Sequence, residues 1–349
     1  MSNRETGQQP AWPGPAAGWP PGFPRVPGDA WTGKPVDEAA LKYEAHGSNS
    51  FSRCWDPVIA QALAVMTGPT VVMDYSCGTG LLTDRLLAGT EDSVLLLNVD
   101  VSPRYLRVIL EKFEDEPRVA MRLLQRVPGT NDRFQSVDEV IGTELTDRGI
   151  DLLISTNAIH LYADLSETLE TWHKVLKPGG IALVSTGDMT NPDRKAGDWR
   201  LHDAVEAVND IASEMVRTEP LFEKYREKLE SDEVMKGYAA LRAHAYPEVG
   251  TVDKYLRALA GAGLKPLHYF EQLVNVYPDD LVDSLSPYHE VVLGWIGGTR
   301  KVEGASPAPG AVRDRLFLLR YCIDKLYAKR DHYQCHFSYF TCRKETTPR

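Results

Sequence analysis

Residues Val71 to Gly80 read VVMDYSCGTG, and their reading decides the fold. A β-branched run ending at Asp74, a tight turn carrying Gly78 and Gly80, and an apolar-periodic segment from Leu81 describe a strand, a loop and a helix in succession. Glycine suits a backbone that turns sharply and lets a ligand approach closely, where a Cβ would obstruct. Further along, a second strand, Val94 to Val99, ends at Asp100, 20 residues beyond Gly80. A carboxylate there can accept hydrogen bonds from both hydroxyls of a ribose, so the two strand ends together predict a nucleoside-cofactor site.

A glycine pair after a strand also fits NAD, FAD and ordinary βα turns. Here, however, Asp74 leads the loop Asp74-Tyr75-Ser76-Cys77-Gly78-Thr79-Gly80, whereas dinucleotide folds present their spaced glycines to a pyrophosphate. The loop resembles motif I of the class I S-adenosylmethionine methyltransferases, D-x-G-x-G-x-G, with Ser76 in place of the first glycine. Asp100-Val101-Ser102-Pro103 resembles the family's acidic motif, with Ser102 as helix N-cap and Pro103 at the first helical position. Asp151 to Ser155 with Asn157 to His160 resembles the fourth strand and its active-site edge, and Val175 to Gly180 resembles the entry to the fifth. The resemblance covers about Tyr43 to Gly187 clearly and Thr251 to Arg343 loosely. It implies an α/β fold with a seven-stranded mixed sheet, parallel but for a reversed last strand, flanked by helices and carrying helical cap insertions. It also implies S-adenosylmethionine as cofactor and transfer of its methyl group.

Composition narrows the acceptor. The chain has 349 residues, 43% hydrophobic and 25% charged, enough for a sizeable core. Its net charge of -10 argues against nucleic acid, whose phosphates call for clustered Lys and Arg, and favours a small-molecule acceptor, here of specialised-metabolite type. No N-P-P-Y-like sequence follows the fourth strand, which removes the usual platform for base amines. Five cysteines, an odd number without a C-x-x-C pair, predict neither disulfides nor a zinc ribbon and fit a reducing cytoplasm. The first 30 residues lack a signal-peptide pattern and no stretch has the length of a membrane span, so a cytoplasmic protein with no membrane partner is expected, as a monomer or homodimer.

The organisation falls into four parts. Residues 1–35, with Trp12, Trp19, Phe23 and Trp31 among many prolines, predict a disordered arm, or else one whose aromatics dock. Residues 36–187 and 251–349 form the cofactor-binding core, with a lid helix near 36–65, a late insertion at 279–330 and a final strand, Tyr333 to Arg343, as edge partner closing the sheet. Between them, residues 188–250 predict a helical cap over the substrate site, with Val205, Val208, Ala212, Met215 and Val216 on one face.

The candidate site residues follow from these placements. The cofactor set is Tyr43, Asp74, Ser76, Gly78, Gly80, Asp100 and Asn157. Asn157 and His160, just past the fourth strand, are the catalytic candidates, His160 because its unperturbed pKa suits a general base; a positioning role is the alternative. Gln125 or Asn131 is the candidate adenine contact. Tyr43, His46 and Asn49 fall at a helical spacing of three and predict a lid face. This layout is similar to the histamine N-methyltransferases, which implies Asn49, Asn157 and the vicinity of His336 as substrate contacts, and His46 on the lid is a further substrate candidate; Asn49 is neutral, so a cationic amine lacks its expected partner. His332, Cys335 and His336 invite a metal, but on a strand Cys335 and His336 point to opposite faces, and no metal is expected. The rival readings are a cofactor-binding protein without turnover and a methyltransferase of protein or RNA.

Overall fold

The structure, a computed structural model, describes residues 12–130, 133–192, 194, 199–308 and 310–346. Seven strands, β1 (Thr70–Tyr75), β2 (Val94–Asp100), β3 (Val119–Leu123), β4 (Ile150–Thr156), β5 (Leu176–Thr186), β6 (Leu264–Val276) and β7 (Tyr333–Lys344), form one sheet in the order β3-β2-β1-β4-β5-β7-β6. The first five are parallel, and β7 runs antiparallel to both β5 and β6. β1 and β2 are buried throughout, which is why they read as unbroken apolar runs. Alternate residues feed two cores. Val72, Leu96, Ile154 and Leu183 pack on one face with the helices Leu81–Gly89 and Pro103–Phe113, and Met73, Leu97, Leu153 and Val184 on the other with Trp172 and Leu259.

Three sequence expectations need correction. The final strand is not the edge: β7 inserts between β5 and β6, leaving β6 outermost. It pairs with twelve residues of β6, from Leu264 to Val276, a length that strand patterning alone leaves open. Second, residues 12–35 are not a loose arm, because their aromatics and Arg25 find partners. Arg25 donates to the carbonyls of Glu114, Glu116 and Val119, Met121 N donates to the Arg25 carbonyl, and Trp19 Nε1 donates to Pro117 O. Phe23 lies 4.0 Å from the Arg122 guanidinium. The segment thereby covers the outer edge of β3, whose backbone groups would otherwise be open to another strand. Third, the lid is not one helix. The helix Glu38–Tyr43 gives way to short 3-10 turns at Glu44–Gly47 and Ser50–Trp55, and the helix Asp56–Val65 follows. Asn49 ends the periodicity by capping: its Oδ1 accepts from Phe51 N at 3.0 Å.

The two insertions make one helical cap. The helix Leu201–Thr218 buries Ala204, Val205, Val208, Ala212, Met215 and Val216 in the same core as Leu318, Leu319, Cys322 and Ile323 of the helix Ala311–Leu326. Trp295 is fully buried there, its Nε1 donating to Asn209. Arg315 is fully buried and donates to the carbonyls of Gly294, Ile296 and Gly298, and desolvation pushes its pKa down. Asp280, at the start of the late insertion, accepts from Ser50 and from Tyr277 N, tying the cap to the lid.

Candidate active site

The ends of β1, β2, β4 and β5 converge where the sheet order reverses direction, the place where open α/β sheets bind ligands. Among the described residues, two other than glycine have left-handed backbone, Ser76 at φ 61° and Asn157 at φ 53°, and they follow β1 and β4 directly. Such strained positions concentrate at functional sites.

The loop after β1 is held from beneath by β2. Ser76 N and Cys77 N both donate to Val99 O, at 2.7 and 3.2 Å. Asp100 Oδ2 accepts from Gly78 N at 2.9 Å and Oδ1 from Ser102 N at 2.7 Å, which leaves each oxygen a lone pair for a ribose hydroxyl. Burial pushes the Asp100 carboxyl up to about 6, against the pull of those backbone donors. Asp74 lies deeper, only 1% exposed, and accepts from Thr83 Oγ1; burial pushes it up to about 7, with Asp100 adding to the shift. The two glycines differ in purpose. A Cβ on Gly78 would make only ordinary contact with the Tyr43 ring, at 3.6 Å, so this glycine serves the left-handed turn at φ 57°. One on Gly80 would press on Ile109 and Phe113 at 3.1 Å, so this glycine serves helix packing. Cys77 is buried and its thiol is pushed well up by desolvation, so it is no nucleophile.

An aromatic hood covers the loop. Tyr43 stacks on His46 with centroids 4.5 Å apart and tilts against Tyr105 at 5.5 Å, and the Tyr105 and Tyr288 hydroxyls are 3.0 Å apart. Three segments, the lid, the helix after β2 and the late insertion, thus meet over Asp100. Of the aromatics on the insertions, Tyr288 and Tyr246 approach the site; Tyr225 instead bonds Asp314 within the cap, and Trp199 stacks on Tyr333 at 3.6 Å.

On the β4 side, Asn157 N donates to Ser185 O, its Oδ1 accepts from Gly187 N at 3.2 Å, and its Nδ2 faces Cys54 Sγ at 3.9 Å. His160 Nδ1 lies 2.8 Å from Thr186 Oγ1 and its Nε2 3.7 Å from Asp188 Oδ2. Asp188 N donates to Thr186 Oγ1, and the Asp188 carboxylate accepts from His202 N at the start of the cap helix. Both ring nitrogens of His160 thus face protein groups, and burial lowers its pKa, opposed by Asp188. Thr186 and Asp188 carried no motif in the sequence. The only signal for them was their place at the end of the fifth strand.

The remaining candidates lie apart from this cluster. His336 Nδ1 is 3.2 Å from Glu271 Oε2 on β6, beside Arg194, Tyr269 and Ser338, while Cys335 faces the opposite core. His332 pairs with Asp331. Gln125 is exposed and its backbone joins Gln135, and Asn131 is outside the described residues. No helix among the described residues is long and apolar enough to cross a membrane.

Comparison with known proteins agrees with this geometry. Residues 73–182, which run from β1 into β5, match the methyltransferase domain family. Residues 73–182 therefore carry a methyltransferase domain, with S-adenosylmethionine as its cofactor. It is 26% identical over 162 residues to malonyl-[acyl-carrier protein] O-methyltransferase 1 of Coxiella burnetii, covering 43% of this chain and 48% of that one. It is 24% identical over 257 residues to malonyl-[acyl-carrier protein] O-methyltransferase of Methylococcus capsulatus, covering 70% of this chain and 82% of that one. The chain thus spans about half the length of the first relative. Among solved structures, a phosphoethanolamine N-methyltransferase 2 of Haemonchus contortus in complex with S-adenosyl-L-methionine is similar at 13% identity and a TM-score of 0.45, over 89% of this chain and 58% of that one.

Proposed function

We propose that the protein transfers the methyl group of S-adenosylmethionine to a small metabolite held between the cofactor loop and the helical cap. The observation that carries this reading is the meeting of the lid, the helix after β2 and the late insertion over Asp100, through Tyr43, Tyr105 and Tyr288. A site roofed in this way suits a compact acceptor better than a polymer strand. In this reading Asp100 holds the ribose, the loop from Asp74 to Gly80 bears the methionine end, and Asn157 faces the transferred methyl. His160 positions rather than abstracts a proton, since its nitrogens are turned to Thr186 and Asp188. Methyl transfer from a sulfonium needs mainly alignment of nucleophile, carbon and sulfur, and that proximity effect is worth several kcal/mol.

A carboxylate acceptor is a second reading. A carboxylate is methylated without a base, in keeping with a His160 whose ring nitrogens face Thr186 and Asp188. The names of the Coxiella and Methylococcus relatives, O-methyltransferases of a malonyl group on a carrier protein, point the same way.

The test is incubation of the protein and S-adenosylmethionine with a metabolite library, read by mass spectrometry for the gain of one methylene unit. A base-labile product identifies a methyl ester and the second reading. Cofactor binding without any methylated product across small molecules and carrier-bound acids would leave a cofactor-binding protein without turnover.

A further inference from the structure

Ser76 stands where the resembling loops have glycine, and its φ of 61° is one that a residue with a Cβ adopts only against strain. Something must hold it there. Its backbone N–H is bound to Val99 O on the β2 side, and its hydroxyl points the other way, 3.1 Å from the Tyr162 hydroxyl. The Tyr162 hydroxyl is in turn 2.8 Å from Ser155 Oγ, which is fully buried on β4. The phenol has little freedom to move. Its ring stands edge-on to Tyr75 at 5.8 Å and to Trp172 at 5.9 Å, and Tyr75 and Trp172 also meet edge-on at 5.3 Å. Burial raises the Tyr162 pKa, so the hydroxyl stays neutral and can donate to one serine while accepting from the other.

From this chain of hydroxyls we propose that Tyr162 is a positioning residue for the cofactor: it pins the strained Ser76 in its left-handed conformation and so presets the loop that receives S-adenosylmethionine. The pin has a second consequence. Tyr162 closes the segment that follows β4, which also bears Asn157 and His160, so one hydroxyl fixes the distance between the cofactor loop and the acceptor-facing edge. Preorganisation of this kind improves affinity by removing the ordering cost from the binding step. A glycine at position 76 would need no such pin, since it adopts the conformation freely. The role of Tyr162 is therefore conditional on Ser76, and that condition is what an experiment can read.

The proposal rests on residues 74–80 being the cofactor loop, so the experiment first requires that the wild-type chain bind S-adenosylmethionine in a calorimeter; no binding refutes that reading itself. Given binding, Tyr162→Phe should raise the dissociation constant roughly five- to tenfold, as expected for one hydrogen bond that orders a loop. The same substitution in a Ser76→Gly background should change it by no more than about twofold, the range in which independent sites add. Ser155→Ala, which keeps the ring and removes the buried anchor, should follow the same pattern, and it carries the test if Tyr162→Phe fails to fold. A purely structural role for the ring would lower melting temperature and affinity equally in both backgrounds. That additive outcome, or wild-type affinity in Tyr162→Phe, overturns the proposal.

Discussion

Replacing Asp100 with asparagine tests the cofactor site most directly, and its effect can be worked from the geometry. The carboxylate accepts from Gly78 N on one oxygen and from Ser102 N on the other. An asparagine amide has one oxygen, so its NH₂ must face one of these N–H groups, and one of the two ribose hydroxyls loses a charged acceptor. Loss of one charge-assisted hydrogen bond costs about 1.5 to 3 kcal/mol, or roughly 10- to 150-fold in the dissociation constant of S-adenosylmethionine. The pH dependence is the sharper signature. Burial raises the Asp100 carboxyl to about 6, and ribose hydroxyls bind its ionised form, so wild-type affinity should rise with pH up to about 6 and level off above it. Binding near pH 6 should then release a proton, visible as a buffer-dependent enthalpy. Asp100→Asn should bind weakly and lose this limb. Calorimetry showing a flat wild-type profile between pH 5 and 7, or an unaltered slope in the variant, refutes the assignment.

Asp74 also makes a stability prediction. An acid whose folded pKa is raised binds its proton more tightly in the native state, so stability is greatest below the unfolded value of 3.8 and falls as pH rises through about 7. The shift amounts to about 4 kcal/mol for the cofactor-free protein, and Asp74→Asn should flatten that part of the melting-temperature profile between pH 4 and 7. Deletion of residues 1–31 should lower the melting temperature and promote association on size-exclusion chromatography, because it bares the β3 edge that Arg25 covers; an unchanged monomer would refute the docking. His160→Gln should raise KM for the acceptor while the pH–rate profile keeps its shape, and loss of the low-pH limb instead would make His160 the general base.

Much of this protein was legible in its sequence because the relevant signals are local. The Asp74 loop, the Ser102 cap, the strand ending at Asp100 and the apolar face from Val205 to Val216 each lie within one or two elements, where period and turn chemistry decide the conformation. Asp100 could be placed beside the loop that follows β1 because β1 and β2 are adjacent and parallel, with Asp74 opposite Asn98. Pairings across long separations were not legible. Tyr162 is 86 residues from Ser76, Arg25 is 94 from Val119, and Ser50 is 230 from Asp280. For the same reason the sequence could assign β7 its reversed direction but not its place between β5 and β6. Hydroxyl, guanidinium and carboxylate groups can each satisfy many partners of similar chemistry, so their identity says that they bond and not to what. The choice among partners was made by the packing of the sheet and cap, which brings the exits of β1 and β4 close enough for a single phenol to span them.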